Sequence, residues 1–214
     1  MTQKRWVNDL QDVINFTPDP KRLFLSSTHE EILQGYTTDI YFISAQQILR
    51  HLHLDQTPVV AEIFARHSGI FCGLPEVLSL LSHSKVEMWS LPEGESFETR
   101  EVVLRIKGPY SEFGIFETPL LGILAHSCGW ATAARECKEA AGEKVVLCFG
   151  ARHVHPSVAP VMERSALIGG VDSAACILGA KLAGKKPGGT IPHAAILICG
   201  DTVLSAKAFD ECIP

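Results

Sequence analysis

The stretch from Lys144 to His193 restricts the folds open to this chain more than any other. It reads KVVLCFGARHVHP and then, from Gly169, GGVDSAACILGAKLAGKKPGGTIPH. Val145 to Phe149 is an apolar, β-branched run closed by Gly150, the pattern of a strand covered on both faces before the chain turns outward. Arg152, His153 and His155 follow that turn, where α/β proteins keep their chemistry. A second apolar patch, Ala166 to Val171, leads to Asp172, which is placed to cap a helix over Ser173 to Ala183. Gly184, Pro187, Gly188 and Gly189 break that helix, and Thr190, Pro192 and His193 come next. The onsets Val145, Leu167 and Thr190 lie twenty-two and twenty-three residues apart, the pitch of repeating strand–helix units. The expectation is part of an α/β barrel or of an open parallel sheet.

The rest of the chain sets the frame for that stretch. Its 214 residues and 46% hydrophobic content allow a real core in one large or two small domains. Acidic residues number 24 against 19 basic ones, the net charge is −5, and the basic residues are dispersed. Nucleic acid and anionic membranes are therefore not expected partners. Seven cysteines without a CxxC spacing, mostly inside apolar runs such as those of Cys128, Cys148, Cys176 and Cys199, read as free thiols in a reducing compartment. The N-terminus lacks an apolar signal region, and no apolar run approaches the roughly 20 residues that span a bilayer. A cytoplasmic protein is expected.

In chain order, residues 1 to 26 read as a loosely attached arm with a turn at PDPKR. Ser27 to Glu30 fits a capping box for a short helix limited by Gly35, and a longer helix starts at Thr38 or Asp39. Val59 to Phe64, Lys85 to Leu91 and Phe97 to Ile106 read as strands, with a short helix at Pro75 to Leu81. Glu117-Thr118-Pro119 is a helix start with Thr118 as N-cap and Pro119 at the first helical position, and that helix should reach Gly142. The boundary is set between 109 and 116, which gives an N-terminal α+β domain over 1–112 and strand–helix units over 113–214.

Most of the polar residues have ordinary explanations. His51 and His53 lie two apart on a helix and so face different ways. His153 and His155 share a side if extended, but no third metal ligand accompanies them. Lys185 and Lys186 suit a solvated helix end, no GxSxG elbow supports a serine hydrolase, and Tyr41 alone reads as a core aromatic. Their placement after successive strands changes this. Arg152, Asp172, Thr190 and His193 would converge on one mouth if those strands are parallel neighbours. A cation, a carboxylate and an imidazole, with Phe149 as a stacking surface, suit a flat heterocycle and an anionic co-substrate.

Six motifs in order, TTDIYF at 37–42, VLRIKGPY, FETPLLG, FGARHVHP, GGVDSAA and GTIPHA at 189–194, resemble the nicotinate phosphoribosyltransferase family. The short archaeal and bacterial form, related to quinolinate phosphoribosyltransferase, is the nearest in pattern, and the resemblance covers about residues 25 to 207. It implies an N-terminal α/β domain followed by an incomplete barrel, working as a homodimer with shared sites. It further implies transfer of a phosphoribosyl group from phosphoribosyl pyrophosphate, with Mg2+, to nicotinate or a related pyridine base. By similarity Tyr41 would stack on the base from the partner subunit, opposite Phe149. Arg152 and Thr190 would bind the base, Asp172 would occupy the position that accepts an amide NH2 in nicotinamide-using relatives, and His193 would be the catalytic histidine that ATP phosphorylates. No metal ligand is assigned within the chain.

Family members are longer, and only three or four barrel strands can be placed here where closure takes about eight. The expectation is therefore a two-part α/β chain whose barrel is cut off at the C-terminus with an open edge. The alternative is a truncated, non-catalytic product that binds a base weakly or pairs with a full-length partner.

Overall fold

The computed structural model describes residues 6–213. Helix α1 (Leu10–Asn15) starts where the Asp9 side chain accepts the Asp12 N–H at 2.9 Å. In α2 (His29–Leu33) Thr28 is the cap and Glu31 closes the capping box. The box therefore lies one residue beyond the Ser27–Glu30 reading, because Thr28 supplies an equally good hydroxyl and Arg22 grips Glu31 with both guanidinium nitrogens, at 3.0 and 2.9 Å. Helix α3 (Ile40–His51) follows Asp39 as expected. The loose arm is corrected for residues 6–16, residues 17–25 are largely exposed, and residues 1–5 lie outside the described part. Val7 is buried in the core, Trp6 meets the Phe116 ring edge-on at 5.6 Å, Phe16 stacks on Tyr36 at 3.9 Å, and Arg50 donates to the Asn8 carbonyl at 2.6 Å. Apolar anchors of this kind hold an arm whatever its composition.

Strand β1 (Pro58–Phe64) is followed by β2 (Gly69–Ile70), helix α4 (Leu74–Leu80), β3 (Glu87–Ser90), β4 (Ser96–Phe97) and β5 (Val102–Pro109). An antiparallel sheet runs β1-β5-β3, and β2 pairs with β4. The single strand expected over Phe97 to Ile106 is thus two, because Arg100 takes a positive φ of 64° and turns the chain between them. On β5, Leu104 and Ile106 point into the core, while Arg105 on the other face pairs with Glu62 of β1. This is the period-2 alternation of a sheet covered on one side. Ile43, Phe71, Val77 and Phe116 complete that core.

Helix α5 (Glu117–Ala141) is the spine, packing on α4 and β2 on one side and on the C-terminal part on the other. Thr118 is not its cap. The helix starts two residues earlier than expected, after Phe116, and the Thr118 hydroxyl donates to Asp39 Oδ2 at 3.0 Å and accepts the Asp39 N–H. Beyond it lie β6 (Leu147–Cys148), α6 (Ala159–Gly169), β7 (Ser173–Ala174), α7 (Ile177–Leu182), α8 (His193–Cys199) and α9 (Thr202–Cys212), with β6 and β7 parallel. This is an N-terminal α+β layer followed by the beginning of a parallel strand–helix sector.

Three elements of the barrel reading are corrected. The patch at Ala166–Gly169 ends α6, whose Met162, Ala166 and Gly169 follow a helical spacing and are buried; a short apolar run does not distinguish strand from helix. Ser173 and Ala174 are strand, so the helix expected from Ser173 starts at Ile177 and Asp172 does not cap it. Thr190 opens no strand, and the chain after it forms α8. The strand at Val145–Phe149 is also shorter and less covered than expected, with Val145 72% exposed. The outer faces of α7 to α9 likewise leave Ile177, Leu197 and Ile198 in solvent. Among the described residues no helix is long and apolar enough to cross a membrane.

An ion pair ties the two parts together. Arg164 of α6 grips Glu93, in the turn between β3 and β4, at 3.2 and 2.7 Å, and Glu93 also accepts the Gly73 N–H at 2.7 Å. Burial pushes the Glu93 carboxyl up, but the Arg164 guanidinium and the Gly73 N–H outweigh it and hold the group below its ordinary value. Glu93→Gln should destabilise the chain by roughly 1–3 kcal/mol in urea unfolding at pH 7. Since the folded pKa is the lower one, the contribution is complete above about pH 4.3, the unfolded value, and is lost as pH falls through the folded value. The variant's stability should lack that part of the acid slope.

Candidate functional site

The parallel pair β6–β7 sends both of its carboxyl ends to the same side. Its ladder continues past the strands through the Ala175 N–H to the Cys148 carbonyl, at 3.1 Å. After Cys148 come Phe149, Gly150 and a single 3-10 turn over Ala151–His153 that carries Arg152. After α7, the loop Pro187–Thr190 returns alongside β7, where the Gly188 N–H bonds the Ala174 carbonyl at 3.0 Å. A Cβ on Gly188 would stand 2.5 Å from the Ser173 hydroxyl, which would have to turn away to admit it.

Between these turns lies an open cleft of about 330 Å³ lined by Phe149, Arg152, Ala175, Pro187, Gly188, Gly189 and Thr190. Three of the six residues singled out from sequence, Phe149, Arg152 and Thr190, therefore share one site. Phe149 exposes 41% of its surface, leaving a ring free to stack on a planar ligand. No carboxylate among the described residues pairs with Arg152, so its planar fork of donors is available to an anion.

The other three lie elsewhere in the chain. Asp172 sits at the amino edge of β7, where its Oδ2 accepts Lys138 Nζ and the Val146 N–H, both at 2.8 Å. These two donors hold its carboxyl below its ordinary value. His193 is the first residue of α8, exposed, and does not line the cleft. Tyr41 is not the core aromatic of the isolated reading. It is 58% exposed on α3, and local burial, Glu117 and Asp39 push its phenol up. His155 is engaged by Ser157, 2.6 Å from its Nδ1, and among the described residues no cluster of His, Cys, Asp and Glu forms a metal site.

A larger cavity of about 460 Å³ lies between α2, α4 and the start of α5, lined by Ile32, Leu33, Leu80 and Ile123 with Glu76 and His29. It is mostly apolar and carries no arginine or lysine, so it does not match a carboxylated heterocycle. Thiolate chemistry at Cys72 and Cys148 is disfavoured near neutral pH, since burial pushes the Cys72 thiol up to about 11 and raises Cys148 as well.

Sequence reasoning missed two contributors. Pro187 with its glycines reads as a helix breaker, yet it forms a cleft wall. Glu163, in the run APVMERSALIGG, draws no attention in the sequence but is fully buried behind the cleft. Arg164 and Ser165 follow it directly, so the local sequence carries no signal of its burial.

The fold and the cleft define a two-part α/β protein in which the turns after parallel strands frame an open cleft. Residues 39–128 match the family model described as the quinolinate phosphoribosyl transferase N-terminal domain. A nicotinate phosphoribosyltransferase of Bacillus subtilis is 32% identical over 124 residues, covering 58% of this chain and 25% of that protein. The crystal structure of nicotinate-nucleotide pyrophosphorylase from Pyrococcus furiosus superposes with a TM-score of 0.86 at 41% identity, covering 90% of this chain and 51% of that one. Human nicotinic acid phosphoribosyltransferase shares the fold, with a TM-score of 0.69 at 22% identity over 75% of this chain and 40% of that one. Over part of its length the chain is thus similar to the phosphoribosyltransferases of the nicotinate and quinolinate type, and it spans about a quarter of the length of the Bacillus relative.

Proposed function

We propose that this chain provides the base-binding part of a cytoplasmic phosphoribosyltransferase that joins nicotinate, or a closely related pyridine carboxylate, to phosphoribosyl pyrophosphate in NAD biosynthesis. One observation carries the reading: Phe149, Arg152 and Thr190 line a single cleft at the carboxyl ends of parallel strands. Phe149 offers a face to the pyridine ring, Arg152 pairs with the carboxylate, and the Thr190 hydroxyl with the Gly188–Gly189 backbone lies along the ring edge. Held in this way, the pyridine nitrogen attacks C1 of the ribose as the C1–O bond to diphosphate breaks and diphosphate leaves. The protein's work is orientation and charge stabilisation of an oxocarbenium-like state. Mg2+ enters as part of the diphosphate substrate, whose oxygens hold it. In this reading Tyr41 reaches the base from a second copy of the chain in a dimer, and the free thiols fit a reducing compartment.

ATP coupling is the finer part of the proposal. A ring nitrogen of His193 attacks the γ-phosphorus of ATP, the bond to the β-phosphate oxygen breaks and ADP leaves; water later takes the phosphoryl group. The GTIPH motif and the exposure of His193 at the start of α8 support it.

Calorimetric titration tests the base site. Arg152→Ala should weaken nicotinate binding by about tenfold, the value of one charge-assisted contact, while leaving nicotinamide nearly unchanged. Equal nicotinate affinity in wild type and variant would remove Arg152 from the site. For ATP coupling, incubation with γ-labelled ATP should label the protein in an acid-labile form that His193→Asn lacks. Acid-stable label, or undiminished label in the variant, would refute it.

A further inference from the structure

We infer that Glu163 is a positioning residue for the cleft, holding its two strand-end turns at a fixed separation. It stands on α6 with no exposed surface, behind the cleft and not in it. One carboxylate oxygen accepts the Ala151 N–H at 3.1 Å, and the other accepts the Cys176 N–H. Ala151 opens the 3-10 turn that carries Arg152 and follows Phe149 by two residues. Cys176 follows Ala175, which lines the opposite wall, and caps α7. A single side chain thus spans the turn after β6 and the turn after β7, adding to the short ladder between those strands.

The residue type suits this task. Two backbone donors on separate turns need two acceptors in a fork, and a carboxylate supplies both. A glutamine presents one acceptor and one NH2, so one of the turns must face a donor and lose its bond. The turn after β6 carries both the stacking ring and the guanidinium, and the turn after β7 carries the opposite wall at Ala175, so the fork sets how far the ring and the guanidinium stand from that wall. Loosening the fork should therefore disturb the guanidinium's angle to a carboxylate more than it disturbs stacking, which tolerates sliding.

The role rests on the base-binding reading above, and the test separates the two. In Glu163→Gln, nicotinate affinity should fall by about tenfold while nicotinamide affinity changes by less than about twofold. Hydrogen exchange at the Ala151 or Cys176 amide should accelerate. General destabilisation would instead weaken both ligands alike, and that result would overturn the positioning role, as would wild-type nicotinate affinity with faster exchange at either amide. Protected amides at both positions in the variant would overturn the fork itself. If the variant does not fold, exchange in the wild type decides: saturating nicotinate should slow Ala151 and Cys176, and no change would overturn the role. Wild type that binds no pyridine carboxylate, with amide protection lost in Glu163→Gln, would reject the base-binding reading and reduce Glu163 to a fold clamp.

Discussion

The close contact between α5 and α6 is the constraint on which the rest depends. Gly169 lies so near the Ala131 carbonyl that a Cβ there would be 2.2 Å from the oxygen, and Ala134 stands beside it. Small residues on both helices allow this approach, so α6 is carried on the same long helix that roofs the N-terminal core. From α6, Arg164 reaches back to Glu93 and Glu163 reaches forward to the turns after β6 and β7. The position of the cleft relative to the N-terminal layer therefore follows from one helix–helix contact and two carboxylates.

The charges divide the labour. Lys138 and Asp172 close the amino edge of the two-stranded sheet, where they neutralise one another and bond the Val146 amide and the Lys144 carbonyl. At the carboxyl edge, Arg152 is left for a ligand. The same two strands thus have one edge that supports the fold and one that is open for chemistry, the arrangement general to parallel strand–helix sheets.

Much of this was legible in the chain because its cause is local. Alternation marked β1 and β5, the Gly142 stop marked the end of α5, and the Phe149–Gly150–Arg152 turn and the Gly188–Gly189–Thr190 loop marked the cleft walls. What was not legible depends on contacts between distant residues. Ala166–Gly169 reads equally as strand or helix until α5 is laid against it. Asp172 looks like a helix cap until Lys138, thirty-four residues earlier, arrives beside it. Glu163 shows its purpose only when two turns bring their amides to it. His193 and Tyr41 were singled out by motif, and motif alone does not state where a side chain stands relative to the cleft.

The central claim is that a pyridine carboxylate binds between the turns after β6 and β7. Backbone and side-chain chemical-shift mapping of the labelled chain during nicotinate titration tests it most directly. The account predicts saturable shifts centred on Phe149, Arg152, Ala175, Gly188 and Thr190. Shifts confined to the apolar cavity around Ile32, Leu33, Leu80 and Ile123, or no saturable shifts at all, would contradict it.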